Sequence, residues 1–170
     1  MLTDNAFNSS RHKVLIFSCT ALLILADQGL KAIVALTMPI GSIESMGTWF
    51  NLVHVLNPGA AFSFLADAGG WQKYFFSIFA LVMSAILALL LWTGVRSTLE
   101  STAYVCMIGG GLGNVIDRLR IGAVVDYLDL HWRGMHWPAF NLADIFVMSG
   151  AFLLLITSFG TERTEHQSSQ

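Results

Sequence analysis

Two aspartates, Asp126 in GAVVDYLDL and Asp144 in FNLAD, are the residues of this chain whose type and position could support hydrolysis. One follows the third long apolar stretch and the other opens the fourth, so both should lie at a similar depth near one membrane surface. Two carboxylates close together in a low-dielectric environment do not both ionise easily. One keeps a proton and acts as an acid, while the other acts as a base that activates water. This is the chemistry of an aspartic peptidase.

A simpler interpretation exists for each acid. Asn141 and Asp144 have the spacing of an N-cap residue and the third helical residue, which is a capping-box arrangement. Asp126 could be an ordinary solvated strand residue. Asp129, three residues further on, should face the other side of a strand. It serves as an internal control, because it is expected to be solvated and its neutralisation should spare most activity.

The composition indicates a membrane protein. The 170 residues are 55% hydrophobic and only 12% charged, about half the charged fraction of an average soluble domain. The net charge of −2 gives no basic surface, so nucleic acid is not an expected partner. We predict one integral-membrane domain over 1–170, all-α in class, with four transmembrane helices, small extracytoplasmic β elements and a polar tail at 161–170. The predicted spans are about 14–37, 72–93, 99–121 and 141–160.

Charges at the first span predict the orientation. Arg11 and Lys13 precede the span, and no Lys or Arg follows it until Lys73. The positive-inside rule then places the N-terminus in the cytoplasm, and four spans return the C-terminus to the same side.

The two outer connections are expected to lie against the membrane surface. Four tryptophans fall in or beside them, and indole rings favour the headgroup region. Apolar and β-branched residues on both sides of 57–59 predict two short strands joined by a turn, and a further strand is predicted after Gly122. The four tryptophans are Trp49, Trp71, Trp132 and Trp137.

Polar residues within the spans need a reason, because a charge at mid-bilayer costs about 2.5–3.5 kcal/mol. Asp27 and Lys31 are four residues apart on one helix face, which suits an ion pair. A supporting pair and a direct functional role both remain open.

Gly109 and Gly113 form a small-xxx-small pattern that allows close helix packing.

A polar face ends the third span. Asn114, Asp117 and Arg118 share it, since their spacings are three and four residues. The face could hydrogen-bond to other helices, or it could form the wall of a site at the outer end of the helix. Arg118 could then meet a lipid phosphate or a carboxylate.

Other chemistries fit less well. His54, His131 and His136 lack metal-ligand spacing, and Cys19 and Cys106 lie within apolar stretches. We therefore expect no metal and no cofactor. Serine schemes, such as Ser63 with His54 or a serine with Lys31, lack an orienting motif. A small proton-coupled exporter using Asp27 is the alternative function.

Five short motifs resemble one known family. They occur in the order and spacing of lipoprotein signal peptidase, the type II signal peptidase of bacteria, and cover the chain from the first span to the fourth. The motifs are DQGLK (27–31), NPGAAFSF (57–64), GGGLGNVIDR (109–118), VVDYLDL (124–130) and FNLAD (140–144).

The resemblance implies a four-helix aspartic endopeptidase of the bacterial inner membrane, with its active site near the outer leaflet. It implies cleavage of prolipoproteins just before a diacylglyceryl-modified cysteine, contact with membrane lipid, no cofactor, and sensitivity to globomycin-type inhibitors. Tyr127 stands where the family often has Phe and could alter hydrogen bonding near Asp126. By the same matching, the catalytic residues are Asp126 and Asp144. The residues that line the site, hold the dyad or contact substrate are Asn57, Asn114, Arg118 and Asn141, and the supporting pair is Asp27 and Lys31.

Overall fold

Four long helices and a small sheet make up the described chain. A computed structural model describes residues 10–59, 70–95 and 97–167, with side chains described up to residue 159. The helices are α1 (Ser10–Thr37), α2 (Gln72–Thr93), α3 (Thr98–Ile121) and α4 (Leu142–Gln167). The strands are β1 (Ile43–Ser45), β2 (Phe50–Asn57), β3 (Val124–Trp132) and β4 (Met135–His136).

Three helical segments are long and apolar enough to cross a membrane: Ser10–Thr37, Gln72–Thr93 and Leu142–Phe159. The fourth predicted span forms α3, but α3 does not meet this criterion. It carries Glu100, Asp117, Arg118 and Arg120, which lower its apolar character. The structure thus supports three of the four predicted spans by length and composition.

Helix α3 lies at the centre of the bundle and packs against α1, α2 and α4. Glycines make this approach possible. A side chain at Gly110 would collide with the backbone carbonyl of Ala143 in α4, and one at Gly113 would lie 2.7 Å from the Asp27 carboxylate in α1. The predicted small-residue pattern is therefore a packing feature, and it includes Gly110 as well as the Gly109 and Gly113 of the sequence prediction.

The ends of α3 set the position of the sheet. Ser97 caps the N-terminus by accepting a hydrogen bond from the backbone of Glu100. Gly122 ends the helix in the left-handed conformation (φ 78°) and donates its N–H to the Arg118 carbonyl. Strand β3 begins two residues later, so Asp126 stays close to the polar end of α3.

The sheet is antiparallel and has the order β1-β2-β3-β4. The predicted strand after Gly122 is confirmed as β3. Strand β2 ends at Asn57, and the strand predicted beyond 57–59 lies outside the described residues. Val125 and Tyr127 of β3 pack on Val34 of α1 and on Met38, the residue that follows this helix, which fixes the sheet to the end of α1.

Candidate active site

Asp126 is buried on β3 and held by two side-chain amides. The Asn57 Nδ2 donates to Oδ2 at 3.0 Å, and the Asn141 Nδ2 donates to Oδ1 at 2.6 Å. The side chain is 3% exposed. Burial raises the pKa of Asp126 to about 7; the amide hydrogen bonds oppose this shift, and the charge of Asp144 adds to it.

Asp144 lies in the first turn of α4 and is half-buried. Its Oδ2 accepts the backbone N–H of Asn141 at 3.1 Å, while the Asn141 Oδ1 accepts the backbone N–H of Asp144 at 3.1 Å. This reciprocal pair confirms the predicted capping box. The other oxygen, Oδ1, accepts the Asn114 Nδ2 at 2.8 Å. Capping thus leaves Asp144 available for a site as well.

Two asparagines join the carboxylates. The Asn141 side chain is fully buried and contacts both acids, donating to Asp126 and accepting from the backbone of Asp144. Its Nδ2 also donates to the Asn114 Oδ1 at 3.2 Å. The structure therefore brings Asp126 and Asp144, 18 residues apart in sequence, to opposite ends of one amide network. Three asparagines were predicted to line the site or hold the dyad, and each contacts one or both acids. They are Asn57, Asn114 and Asn141.

Lys31 orients the Asn114 side chain of this network. The predicted ion pair with Asp27 is confirmed, with Nζ 2.8 Å from Oδ2. The same ammonium lies 2.9 Å from the Asp117 Oδ2 and donates to the Asn114 Oδ1 at 2.8 Å. Because Lys31 occupies the Asn114 oxygen, the Asn114 Nδ2 must face Asp144.

The two acids paired with Lys31 also hold the backbone beside the site. Asp27 accepts the backbone N–H of Ala143 at the start of α4, at 3.0 Å. Asp117 accepts the backbone N–H of Val125, next to Asp126, at 3.2 Å. The sequence placed Asp117 on the polar face of α3 but did not reveal these partners. Gln28, which donates to Asp117 at 3.0 Å, was missed altogether.

A cavity of about 380 Å³, called here the inner cavity, lies between α2, α3 and α4 and is lined by Asp144. Arg118 lines it, with its guanidinium 5.6 Å from the Phe76 ring centre. The buried Nε of Arg118 has no hydrogen-bond partner among the described residues. The remaining polar lining is Ser84, Asn114 and Asp144, and the apolar lining includes Phe79, Met83, Leu87, Met107, Val147 and Met148.

A second cavity of about 530 Å³, called here the outer cleft, is lined by residues of all four strands. Asn57 and Asp126 line it, and so does Asp129. The prediction that Asp129 is solvated was wrong: its side chain is 6% exposed and accepts the Asn51 Nδ2 at 2.7 Å. Asn51 of β2 lies directly opposite Asp129, and His136 of β4 contacts its carboxylate, so side chains of both neighbouring strands cover it.

Tyr127 contacts the start of α4. Its hydroxyl accepts the backbone N–H of Leu142 at 3.2 Å, so it ties β3 to the first residue of α4. Burial raises the pKa of Tyr127 to about 12, which keeps the phenol neutral. The hydrogen bonds described for Asp126 come from Asn57 and Asn141, so the expected effect of Tyr127 on them is not seen.

The histidine and cysteine side chains weighed as alternative site residues do not form a metal site in the described part of the chain. His54 is buried, and its Nδ1 lies 2.8 Å from the Met38 carbonyl oxygen. Cys19 and Cys106 are unpaired and partly buried. Within 10–59, 70–95 and 97–167, no three His, Cys, Asp or Glu side chains form a metal-binding group.

Long apolar helices, a small sheet and two carboxylates joined by shared amides define a membrane protein with a buried polar site next to the sheet. The comparisons with known proteins specify the class further. Residues 19–160 match the family described as signal peptidase (SPase) II, and the chain belongs to that family. It is therefore a multi-pass membrane peptidase that removes signal peptides from prolipoproteins.

Relatives and solved structures agree with this assignment. The lipoprotein signal peptidase of Aeromonas hydrophila is 46% identical over 147 residues, which cover 84% of this chain and 86% of the relative. That of Cupriavidus pinatubonensis is 40% identical over 153 residues, covering 90% and 87%. A bacterial membrane enzyme solved at 2.3 Å by the in meso method superposes with a TM-score of 0.76 at 28% identity, covering 86% of this chain and 88% of the other.

Proposed function

We propose that the protein cleaves diacylglyceryl-modified prolipoproteins just before the lipidated cysteine, with Asp126 and Asp144 as the catalytic dyad. The observation that carries this proposal is the amide-bridged pair of carboxylates between two cavities of different character. Asp144 lines the inner cavity among apolar helices, and Asp126 lines the outer cleft on the sheet. A lipid-bearing peptide needs both environments at the bond that is cut.

The proposed reaction uses the two carboxylates in different protonation states. Ionised Asp144 takes a proton from water, whose oxygen attacks the carbonyl carbon before the cysteine, while protonated Asp126 donates its proton to the carbonyl oxygen. When the gem-diol collapses, Asp144 returns its proton to the leaving nitrogen, and Asp126 takes one back from the hydroxyl. One water is added across one peptide bond. Burial of Asp126 and the position of Asp144 at the start of α4 support this division of roles.

The inner cavity suits the diacylglyceryl group. Its walls come from α2, α3 and α4 and are mostly apolar, so acyl chains could enter it from the membrane. Arg118 provides an unused guanidinium N–H in the same cavity, which suits an ester oxygen at the head of the lipid. Globomycin-type inhibitors, expected from the family resemblance, would compete for this space and for the dyad.

We further propose one domain over 1–170 with α3 as the fourth span, because the three apolar helices α1, α2 and α4 surround it. Four spans would put both termini on one side of a bacterial inner membrane, and Arg11 and Lys13 before the first span favour the cytoplasmic side. The dyad would then lie near the outer leaflet. Trp49, Trp132 and Trp137 are more than half exposed on the outer segments, as expected for side chains in contact with lipid headgroups.

The exporter alternative requires Asp27 to exchange protons with an aqueous path. Asp27 is fully buried and bound to Lys31 and to the N–H of Ala143, and it does not line the inner cavity or the outer cleft. These contacts favour a structural role for Asp27.

The function is tested with a diacylglyceryl-modified prolipoprotein peptide and its unmodified twin, incubated with the purified protein in detergent. We expect cleavage of the modified peptide only, before the cysteine, because the unmodified peptide cannot fill the inner cavity. Mass spectrometry of the products identifies the bond. Equal cleavage of both peptides would refute the assigned specificity, and cleavage of neither would refute the function.

The pH profile tests which carboxylate holds the proton. Since the pKa of Asp126 is raised to about 7, Asp126 remains protonated below that pH and loses its proton as the pH rises through it. We expect kcat/KM to fall by about tenfold per pH unit above this pKa. The measurement uses a neutral lipidated peptide at constant ionic strength, with recovery of activity on return to pH 6 as the control for denaturation. A flat profile from pH 6 to 9 would exclude Asp126 as the acid.

A further inference from the structure

A second polar pair lies in the outer cleft, away from the dyad. The buried carboxylate of Asp129 accepts a hydrogen bond from the Nδ1 of His136, at 2.9 Å and 3.0 Å to its two oxygens. Burial alone would raise the pKa of Asp129, but the hydrogen bonds from Asn51 and His136 outweigh this, and the net pKa is lowered. Asp129 is therefore ionised at neutral pH and holds the imidazole in one tautomer.

The hairpin of β3 and β4 places His136 in this position. Arg133 (φ 51°) and Gly134 (φ 81°) form its two-residue turn with both residues left-handed, which is the geometry of a tight hairpin. The register pairs His131 with His136, and their rings stack with centroids 5.2 Å apart. The His136 side chain is 52% exposed although its Nδ1 is occupied, and it lines the outer cleft. Its other nitrogen, Nε2, has no hydrogen-bond partner among the residues that the structure describes, so it can bind a ligand.

The outer cleft is lined both by Asp126 of the dyad and by this pair. Asp126 and Asn57 line one part of it, and Asp129 and His136 line another. Asp126 and Asp129 are three residues apart on β3, so the two parts are separated by about 10 Å, the length of about three residues of extended peptide.

We propose that the outer cleft binds the polypeptide on the C-terminal side of the scissile bond, and that His136, oriented by Asp129, hydrogen-bonds its backbone about three residues beyond the lipidated cysteine. This inference rests on the proposed function. The occupant follows from polarity: the signal peptide and the acyl chains are apolar and belong with the helices, whereas the chain that follows the cysteine is polar and leaves the membrane. Asp129 is a positioning residue, because it acts through His136.

The test compares two lipidated peptides with the same signal sequence, one ending one residue after the cysteine and one continuing for six residues. For the wild-type protein, kcat/KM should be about five- to tenfold higher for the long peptide, the value of one hydrogen bond. His136→Ala should remove this advantage through KM and leave the short peptide unaffected. Asp129→Asn should cause a smaller loss, again with the long peptide only. The matched control is Met135→Ala, an exposed neighbour in β4 that does not line the cleft.

The outcomes separate the inference from the function it rests on. Cleavage of both peptides by the wild type with equal kcat/KM would overturn the inference and leave the function intact. An equal loss for both peptides in His136→Ala would also overturn it, because it would show only a structural role. Failure of the wild type to cleave either lipidated peptide would refute the proposed function and this inference with it.

Discussion

Replacing either Asp126 or Asp144 by Asn should lower kcat for a lipidated prolipoprotein by about 10³-fold or more. Each substitution removes one of the two proton-transfer steps, so neither variant can both activate water and protonate the carbonyl oxygen. The substitutions preserve side-chain size, and the remaining amide oxygen can still accept from Asn141 or Asn114. The variants should therefore stay folded in the membrane. Initial rates with the lipidated peptide in detergent measure the effect.

The double variant sharpens this test. Because the two acids act as one unit, combining Asp126→Asn with Asp144→Asn should lower the rate hardly further than either single change. Glu44→Gln, which neutralises an exposed acid in β1 of the same sheet, is the matched control and should keep its rate. Normal cleavage by either single dyad variant, with thermal unfolding unchanged, would rule out the mechanism.

Local patterns in the sequence were enough for the helices and for contacts within them. The predicted spans at 72–93 and 99–121 agree with α2 and α3 to within one residue. Asp27 and Lys31, one helical turn apart, form the predicted pair, and the capping box of α4 forms as predicted. In each case the partners are close in sequence, and helix geometry alone brings them together.

The rest of the site depends on distant contacts that no periodicity encodes. Lys31 and Asp117 meet because the glycines of α3 let α1 approach, and the spacing within either helix does not reveal this. Asp129 was expected to be solvated, but Asn51 and His136 from the two neighbouring strands cover it, and no pattern within β3 reveals these contacts. That Asp126 and Asp144 converge was inferred from their depth in the membrane. Spacing placed Asn114 on the polar face of α3 and Asn141 at the N-cap of α4, but only the family motifs linked these asparagines to the dyad.

The largest effect on stability is expected for Lys31→Met. The substitution keeps the length of the side chain but leaves Asp27 and Asp117, which are 0% and 4% exposed, without their cation. Removing one partner of a buried ion pair typically costs about 3–5 kcal/mol. The free energy of unfolding should fall by this amount, as measured by denaturant titration in mixed micelles. The rate should fall as well, since the amide of Asn114 loses the contact that turns it towards Asp144.

Charge balance distinguishes this explanation from a simple packing defect. The wild-type cluster has two acids for one lysine, so Asp27→Asn leaves Lys31 and Asp117 as a neutral pair and should cost less than Lys31→Met. The amide oxygen that replaces the carboxylate in Asp27→Asn can still accept the N–H of Ala143, which preserves the start of α4. In the double variant Lys31→Met/Asp27→Asn, one uncompensated acid is gone, so part of the stability lost in Lys31→Met should return. If the double variant were less stable than Lys31→Met by the full cost of Asp27→Asn, the two residues would act independently, and the buried charge would not explain the loss.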